Sequence, residues 1–580
     1  MNTPYQTLHN HLLFLYGAEE TDRCFPRWQQ RLKDFQAVFG SGTTAVLERV
    51  TEQDAILITY GDMVQQPGQK PMATLAEFLP QHLAGSISTI HLLPFFPYSS
   101  DDGFSVINYK QVNPDWGDWG DVATISHSFR LMFDAVVNHI SAESDWFQAF
   151  LQDERPYTDS FITVDPNIDL SAVFRPRALP LLTAVKTPSG TKQVWTTFSA
   201  DQVDLNFANP DVLFTVMDVL LFYVAHGAEF IRLDAIAYIW KEIGTDCIHR
   251  PQTHEIVRLM RMALDMVAPQ VSLITETNVP HEDNIAYFGN GRNEAQLVYN
   301  FSLPPLTLHT FHTGNAETLS QWAATLTLPS EQATFFNFLA SHDGIGMQPA
   351  KGLLSDTAVS TMAKRVKALG GYISYKTDGD GSQSVYELNI NYLDALGDPN
   401  GVDEPVAWQA RRFLTAQAIM LALRGVPGIY FHSLFGSRNW REGVELSGQK
   451  RTINRQKLQR HQLEDELSDP TSLRHHVFNG YRQLLKARTT NPAFHPNGAQ
   501  DVLFCHQAIF ALWRVSENGR ERVLCLHNVS SQPQQLNLSL KQSANSMIDL
   551  IQGDVYAFEA GQLNLILEPY QVLWLQADLD

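Results

Sequence analysis

Cysteine is scarce: 580 residues contain only four, Cys24, Cys247, Cys505 and Cys525, scattered without C-x-x-C spacing. That argues against a disulfide framework or a zinc ribbon and favours a reducing compartment. The Met-Asn-Thr-Pro-Tyr start lacks a basic segment followed by an apolar one, so no secretory signal is visible. Long hydrophobic runs are missing too. The most apolar stretch, Val212 to Ile231, is broken by Asp218, His226 and Glu229 and is too polar to cross a bilayer. These absences predict a soluble, cytoplasmic protein. Positive charge is in deficit, with 42 Lys and Arg against 62 Asp and Glu, a formal net charge of −20. No basic, aromatic-interleaved patch offsets it, which argues against nucleic acid or a membrane surface as partner. No H-E-x-x-H or paired-ligand spacing occurs, and the adjacent acids Asp101 and Asp102 do not define a metal site. The expectation is no metal and no cofactor. Internal repeats and low-complexity tracts are also lacking.

What is present is an alternation of short β-prone apolar runs with helix-periodic segments, the pattern of parallel βα units. Eight runs can be traced: Ala55–Tyr60, Ile87–Pro94, Leu131–Asn138, Ala228–Asp234, Val271–Thr277, Ala295–Phe301, Thr334–Asp343 and Val426–His432. Eight strands close a (β/α)8 barrel, so the fold class is α/β, a TIM barrel with inserted loop domains and a C-terminal antiparallel β domain. Asn209-Pro210-Asp211 supplies an N-cap, a proline at the first helical position and a first-turn acid, and Gly227 suits the end of that helix. The expected division is an N-terminal helical extension over 1–52, barrel over 53–138, an insert over 139–208, and barrel over 209–343. A second insert over 344–403, barrel over 404–491 and a β domain over 492–580 complete it. The extension places Leu8, Leu12, Leu13, Leu15, Trp28, Leu32 and Phe35 against the barrel exterior. The string Lys376-Thr-Asp-Gly-Asp-Gly-Ser-Gln in the second insert predicts a mobile loop, a candidate lid or acceptor loop.

Several barrel runs end in polar residues, and the C-terminal ends of barrel strands form the active-site floor. The third ends in Asn138-His139, the fourth in Arg232-Leu233-Asp234, the fifth in Thr275-Glu276-Thr277 and the seventh in Ser341-His342-Asp343. One acid after one strand is most often a helix cap or a solvated group. Three converging on one mouth, Asp234, Glu276 and Asp343, form a site or a buried ion-pair cluster. A cluster would not explain why all of them fall at strand ends. Arg232 and Asp234, two apart on a strand, share a face, where the guanidinium can hold the carboxylate ionised as a nucleophile requires. Glu276, opposite charged aspartates, would have its pKa raised towards the protonated form of a general acid. Retaining glycoside chemistry uses this division, and Asp343 with His342 would stabilise the oxocarbenium-like state and hold sugar hydroxyls.

Arg232-Leu-Asp234-Ala, Glu276, His342-Asp343 and Asn138-His139 resemble the signature segments of the α-amylase superfamily. His91-Leu-Leu-Pro-Phe, Asp101-Asp-Gly-Phe104, Arg175-Pro-Arg177, Ser341-His-Asp-Gly-Ile-Gly and Ile453-Asn-Arg455 resemble its sucrose phosphorylase-like branch. Within the branch, Ser99-Ser-Asp-Asp-Gly-Phe-Ser-Val, Arg175-Pro-Arg-Ala-Leu-Pro-Leu-Leu-Thr and Thr275-Glu-Thr-Asn-Val-Pro-His look most like the glucosylglycerate phosphorylases. The resemblance implies a glucose pocket closed at its far end by Asp101 and Arg455, with Phe104 as aromatic platform and His139, Arg232 and His342 as hydroxyl partners. It implies Arg177 and Tyr386 as phosphate-binding residues and Phe198 and Gln202 on the acceptor side. One departure is informative: sucrose phosphorylases carry a histidine two residues after the acid/base, where this chain has Asn278. That turns the expectation away from fructose and towards a small polyol acid, with Asn278, Lys376 and Arg177 as candidate contacts.

The expected activity is therefore reversible phosphorolysis of an α-glucoside, 2-O-α-D-glucosyl-D-glycerate before glucosylglycerol, sucrose or sucrose 6′-phosphate. The expected partners are inorganic phosphate and a small carbohydrate, with the chain a monomer or homodimer. An α-glucosidase using water and a non-catalytic carbohydrate-binding barrel are the competing readings. Arg177 and Tyr386 speak against the first, and the intact set of three carboxylates against the second.

Overall fold

The computed structural model of the chain describes residues 4–40, 49–177, 179–377, 382–398, 404–539, 546–558 and 562–577. Eight short apolar strands come together in it as a closed, all-parallel barrel. In chain order they are β1 (Ile56–Thr59), β2 (Thr89–Leu92), β3 (Arg130–Ala135), β4 (Ala228–Leu233), β5 (Ser272–Thr275), β6 (Leu297–Tyr299), β7 (Thr334–Asn337) and β8 (Val426–Tyr430). Each pairs with its sequence neighbours, and β8 closes on β1 through Ile56↔Gly428. Buried on both faces, as parallel strands must be, they read as near-continuous apolar runs.

All eight expected runs contain a barrel strand, but the seventh is shorter than expected. It ends at Asn337, so Asp343 stands six residues beyond the strand on a loop rather than at its terminus. The helix before β4 follows its sequence signals: Asn209 accepts from the Asp211 amide, Pro210 opens the helix Pro210–Ala225, and Gly227 takes φ 91° behind it.

Between β3 and β4 the chain forms an antiparallel pair, His139–Ser141 with Gln202–Asp204, and a hairpin, Leu182–Thr187 with Gly190–Trp195. Between β7 and β8 it forms a three-stranded antiparallel sheet of Ile345–Gly346, Gln383–Asn389 and Tyr372–Thr377 beside the helix Asp356–Ala368. The loop expected over 376–383 is thus corrected at its ends. Lys376, Thr377 and Gln383 belong to strands, because the β-prone Tyr-Ile-Ser-Tyr and Ser-Val-Tyr segments beside them pair across the hairpin. Residues 378–381 lie outside the described residues.

Pro4–Phe39 is helical with a break at Gly17 (φ 74°), and it packs on Pro251–Val267 and Pro210–Ala225. Leu8, Leu12, Leu15, Trp28, Leu32 and Phe35 are buried there as expected; Leu13 is 42% exposed, because helical periodicity turns it away from the face that carries Leu8, Leu12 and Leu15. At the other end, Ala499–His506, Ile509–Val515, Arg522–Asn528, Val572–Ala577, Ser546–Asp549 and Val555–Ala557 form a six-stranded sheet. It encloses a second core with the pair Gln534–Ser539 and Gln562–Leu567. Among the described residues, no helix is long and apolar enough to cross a membrane.

Candidate active site

The parallel register of β4 and β5 sets Leu233 beside Thr275, so the residues that follow, Asp234 and Glu276, leave the barrel side by side. The chain turns sharply there. Ala235 adopts φ 47°, a left-handed conformation disfavoured for a residue with a Cβ, and its amide donates to Glu276 Oε2 at 3.0 Å. Below them Arg232 is 2% exposed. Its Nη1 donates to Asp234 Oδ1 at 2.9 Å and to Asp134 on β3, and its Nη2 lies 3.8 Å from Glu276 Oε2. His91 Nε2, on β2, bonds the other oxygen of Asp134 at 2.6 Å. One guanidinium therefore organises both carboxyls at the barrel mouth.

Burial raises the pKa of Asp234. Arg232 opposes the rise without cancelling it, because Glu276, Asp134 and Asp343 add negative charge around it. The expectation that Arg232 can hold Asp234 ionised is corrected accordingly: it lowers the pKa only in part. Glu276 is also raised, first by burial, and then by Asp343 against the opposing pull of Arg232. Both carboxyls therefore hold a proton above the usual carboxylate range. Asp343 behaves differently. Burial would raise it, but Arg451 Nη1 at 2.5 Å, with His342, Arg455 and Arg232, carries it well below that range.

The three carboxylates line one open pocket at the barrel mouth. Asp234, Glu276, Asp343, Asp101, Phe104 and His342 share it with His139, Phe198, Gln202, Arg177, Tyr386 and Asn278. The Phe104 ring stacks on His342 with centroids 4.5 Å apart, and burial pushes the His342 pKa down to about 3, so that imidazole is neutral. His139 Nε2 donates to Phe104 O at 2.8 Å, and Gln202 Nε2 reaches the same carbonyl at 3.0 Å. Arg177 Nη2 stands 3.6 Å from Asp101 and above the Phe198 ring. Tyr386 has its pKa pushed up to about 12, chiefly by burial, and stays a hydroxyl donor. The glycines of His342-Asp-Gly-Ile-Gly have a steric purpose. A Cβ at Gly344 would lie 2.6 Å from Glu387 Cγ, and one at Gly346 2.6 Å from Asn278 Oδ1, an oxygen buried without a partner among the described residues.

Three expected site residues stand outside this pocket. Arg232 lies beneath it, its guanidinium engaged with carboxylates rather than open to a sugar hydroxyl. Arg455 lies beside it: Nη1 bonds Asp102 at 2.6 Å and stays 3.8 Å from Asp101, because both aspartates take left-handed backbone and present Asp102 to the arginine. Lys376 lines a separate cavity with Lys351, Lys364 and Lys367. Four lining residues were not foreseen: Ala235, Tyr238, Thr277 and Arg451. The available signals were the acid Asp134 inside an apolar strand run and the arginine four positions before Arg455.

Residues 84–349 match the catalytic domain of the α-amylases and residues 505–574 the C-terminal domain of maltogenic amylase. The chain is 49% identical to the glucosylglycerate phosphorylase of Spirochaeta thermophila, over 99% of this chain and 98% of that one. It is 44% identical to the Escherichia coli protein of the same name, over 98% and 100%. The structure resembles sucrose 6F-phosphate phosphorylase from Thermoanaerobacter thermosaccharolyticum, with a TM-score of 0.73 at 24% identity, over 91% of this chain and 100% of that one. With its carboxylates arranged around Arg232 and relatives that match it nearly end to end, the chain belongs to the α-amylase superfamily, in the sucrose phosphorylase-like branch with the glucosylglycerate phosphorylases.

Proposed function

We propose that the chain catalyses reversible, retaining phosphorolysis of 2-O-α-D-glucosyl-D-glycerate to α-D-glucose 1-phosphate and D-glycerate. The observation that carries this reading is that Arg177 and Tyr386 line the same pocket as Asp234 and Glu276, so an anion can reach the carbon the carboxylate has attacked. The names of the relatives at 44% and 49% identity support the acceptor.

Asp234 attacks the anomeric carbon while Glu276 gives its proton to the departing glycerate oxygen, leaving a glucosyl ester on Asp234. Phosphate, held by Arg177 and the Tyr386 hydroxyl, then attacks from the vacated side and returns a proton to Glu276, with net retention. The first step needs the proton on Glu276, and Arg232 favours that placement against the burial that raises both carboxyls, because it donates to Asp234 at 2.9 Å and keeps 3.8 Å from Glu276. Contact of both carboxyls with one guanidinium supports the close spacing of about 5–5.5 Å that retaining enzymes use. Asp343 stays ionised and neutralises the oxocarbenium-like state, and neutral His342 binds a glucose hydroxyl. The inserts over 139–208 and 344–403 supply the acceptor side through Arg177, Phe198, Gln202 and Tyr386. Asn278 Oδ1, which has no hydrogen-bond partner among the described residues, accepts from a glycerate hydroxyl.

The test is incubation with glucose 1-phosphate and a panel of glycerate, glycerol, fructose and fructose 6-phosphate, following phosphate release. Release with D-glycerate is expected. Release with fructose alone would move the acceptor to sucrose, and release with none would reject phosphorylase function.

A further inference from the structure

Arg451 has no part in the chemistry above, yet it is the strongest charge contact of Asp343. It reaches Asp343 Oδ1 with Nη1 at 2.5 Å and grips Glu387 with its other two nitrogens, Nη2 to Oε1 at 2.9 Å and Nε to Oε2 at 3.2 Å. Glu387 is 3% exposed and does not line the catalytic pocket, but it follows Tyr386 directly on the strand Gln383–Asn389. Glu387 Oε1 also accepts from the Gly344 amide, the residue after Asp343, at 3.1 Å. The backbone joins the same pieces, since Ile345–Gly346 pairs with Glu387 and Leu388 and the Met347 amide donates to Tyr386 O at 2.9 Å. Glu387 is buried and would be an uncompensated charge without the half-buried Arg451, which in turn is shared between Glu387 and Asp343.

We propose that Arg451 is a positioning residue: by bridging Asp343 and Glu387 it fixes, with one guanidinium, both the carboxylate that faces the glucosyl cation and the strand that presents Tyr386 to phosphate. The proposal rests on the phosphorylase reading for its Tyr386 half only. Asp343 Oδ1 is buried against Arg451 Nη1 at 2.5 Å, with His342 and Arg455 behind it, so the guanidinium holds the carboxylate in place and keeps it charged. The other charged or titratable groups facing Asp343 are His342, Arg455 and Arg232, with Asp234, Glu276 and the Tyr430 hydroxyl opposing. Arg451 is the largest source of the depressed Asp343 pKa, so its removal raises that pKa. Activity that needs ionised Asp343 is then lost at a higher pH on the acid side.

The experiment compares wild type with Arg451→Met, Arg451→Lys and Glu387→Gln, each checked for folding by near-UV circular dichroism. Two activities are read. Cleavage of α-D-glucosyl fluoride needs the carboxylates but no phosphate, and phosphorolysis gives the KM for phosphate. Arg451→Met is expected to lower fluoride cleavage by about 10- to 100-fold and to move the acid limb of its pH profile upwards. Arg451→Lys restores the limb, but its single ammonium cannot grip both carboxylates, so the KM for phosphate stays raised. Glu387→Gln leaves the limb in place and raises that KM. A folded Arg451→Met with an unmoved acid limb overturns the Asp343 half. A Glu387→Gln enzyme with unchanged phosphate KM overturns the Tyr386 half. Wild type that cleaves the fluoride but gives no phosphorolysis rejects the phosphorylase reading and the Tyr386 half with it, leaving the Asp343 half to be judged on the acid limb alone.

Discussion

Asp234 is under two opposed demands, since a nucleophile must be ionised while burial beside three other carboxylates favours the proton. Arg232 resolves the conflict only in part, and that partial resolution has a stability consequence. Removing the Asp234 carboxyl relieves repulsion in the cluster, while Arg232 keeps its bond to Asp134. Asp234→Ala should therefore abolish turnover, by roughly 10⁴-fold or more in kcat, while the thermal midpoint holds or rises. Retained activity would end its assignment as nucleophile. Arg177 poses the complementary case. It is a third exposed and its one ion-pair partner among the described residues, Asp101, is 3.6 Å away, so its donors remain available to an anion. A charge-assisted hydrogen bond contributes about 1.5–3 kcal/mol, so Arg177→Gln should raise the KM for phosphate by about 10- to 150-fold. Initial rates at varied phosphate would check this; an unchanged KM would place phosphate elsewhere.

Among the elements, positions that need one backbone conformation control how well the strands close. Gly425, just before β8, has φ 129°, and a Cβ there would stand 2.7 Å from Phe335 O. Gly425→Ala should destabilise the protein by about 1–3 kcal/mol through backbone strain, and Asn209→Ala by about 1 kcal/mol through loss of the cap. Denaturant midpoints measure both, and a midpoint equal to wild type in either variant contradicts the stated cause. Signals of this local kind are what made the barrel legible: Asn209-Pro210-Asp211, Gly227 and eight apolar runs needed no knowledge of distant contacts. Asp234 and Glu276 were legible for the same reason, each following a strand directly. Asp343 was harder to place, because β7 ends at Asn337 and the turn that brings the carboxylate back depends on Gly344 closing on Glu387, 43 residues away. Arg451 was missed because its meaning lies wholly in such long-range pairs. The exchange of Asp101 for Asp102 as the partner of Arg455 depends on two left-handed residues in a row, which sequence does not reveal.

Across the whole molecule, neutral histidines sit buried or half-buried in separate layers, and together they set an acid limit to folding. His432 lies just after β8, His312 on an outer helix and His527 in the C-terminal sheet; burial pushes their pKa values down to about 3, about 4 and about 4. His527 shows why charge is refused. Its Nδ1 donates to Phe510 O at 3.1 Å, while Nε2 accepts from the Trp574 indole at 3.3 Å, so a second ring proton would face another N–H. In the unfolded chain each of these histidines titrates near 6.5. Between that value and the folded one the unfolded state binds more protons, so each histidine's contribution is complete above about pH 6.5 and is lost at about 1.4 kcal/mol per unit as pH falls. Denaturant midpoints should therefore drop steeply between pH 6.5 and 4. His527→Gln, which can donate to Phe510 O and accept from Trp574 without titrating, should show a shallower slope, its deficit against wild type shrinking or reversing by pH 5. Parallel slopes for the two proteins would show that His527 is not one of the groups setting the limit.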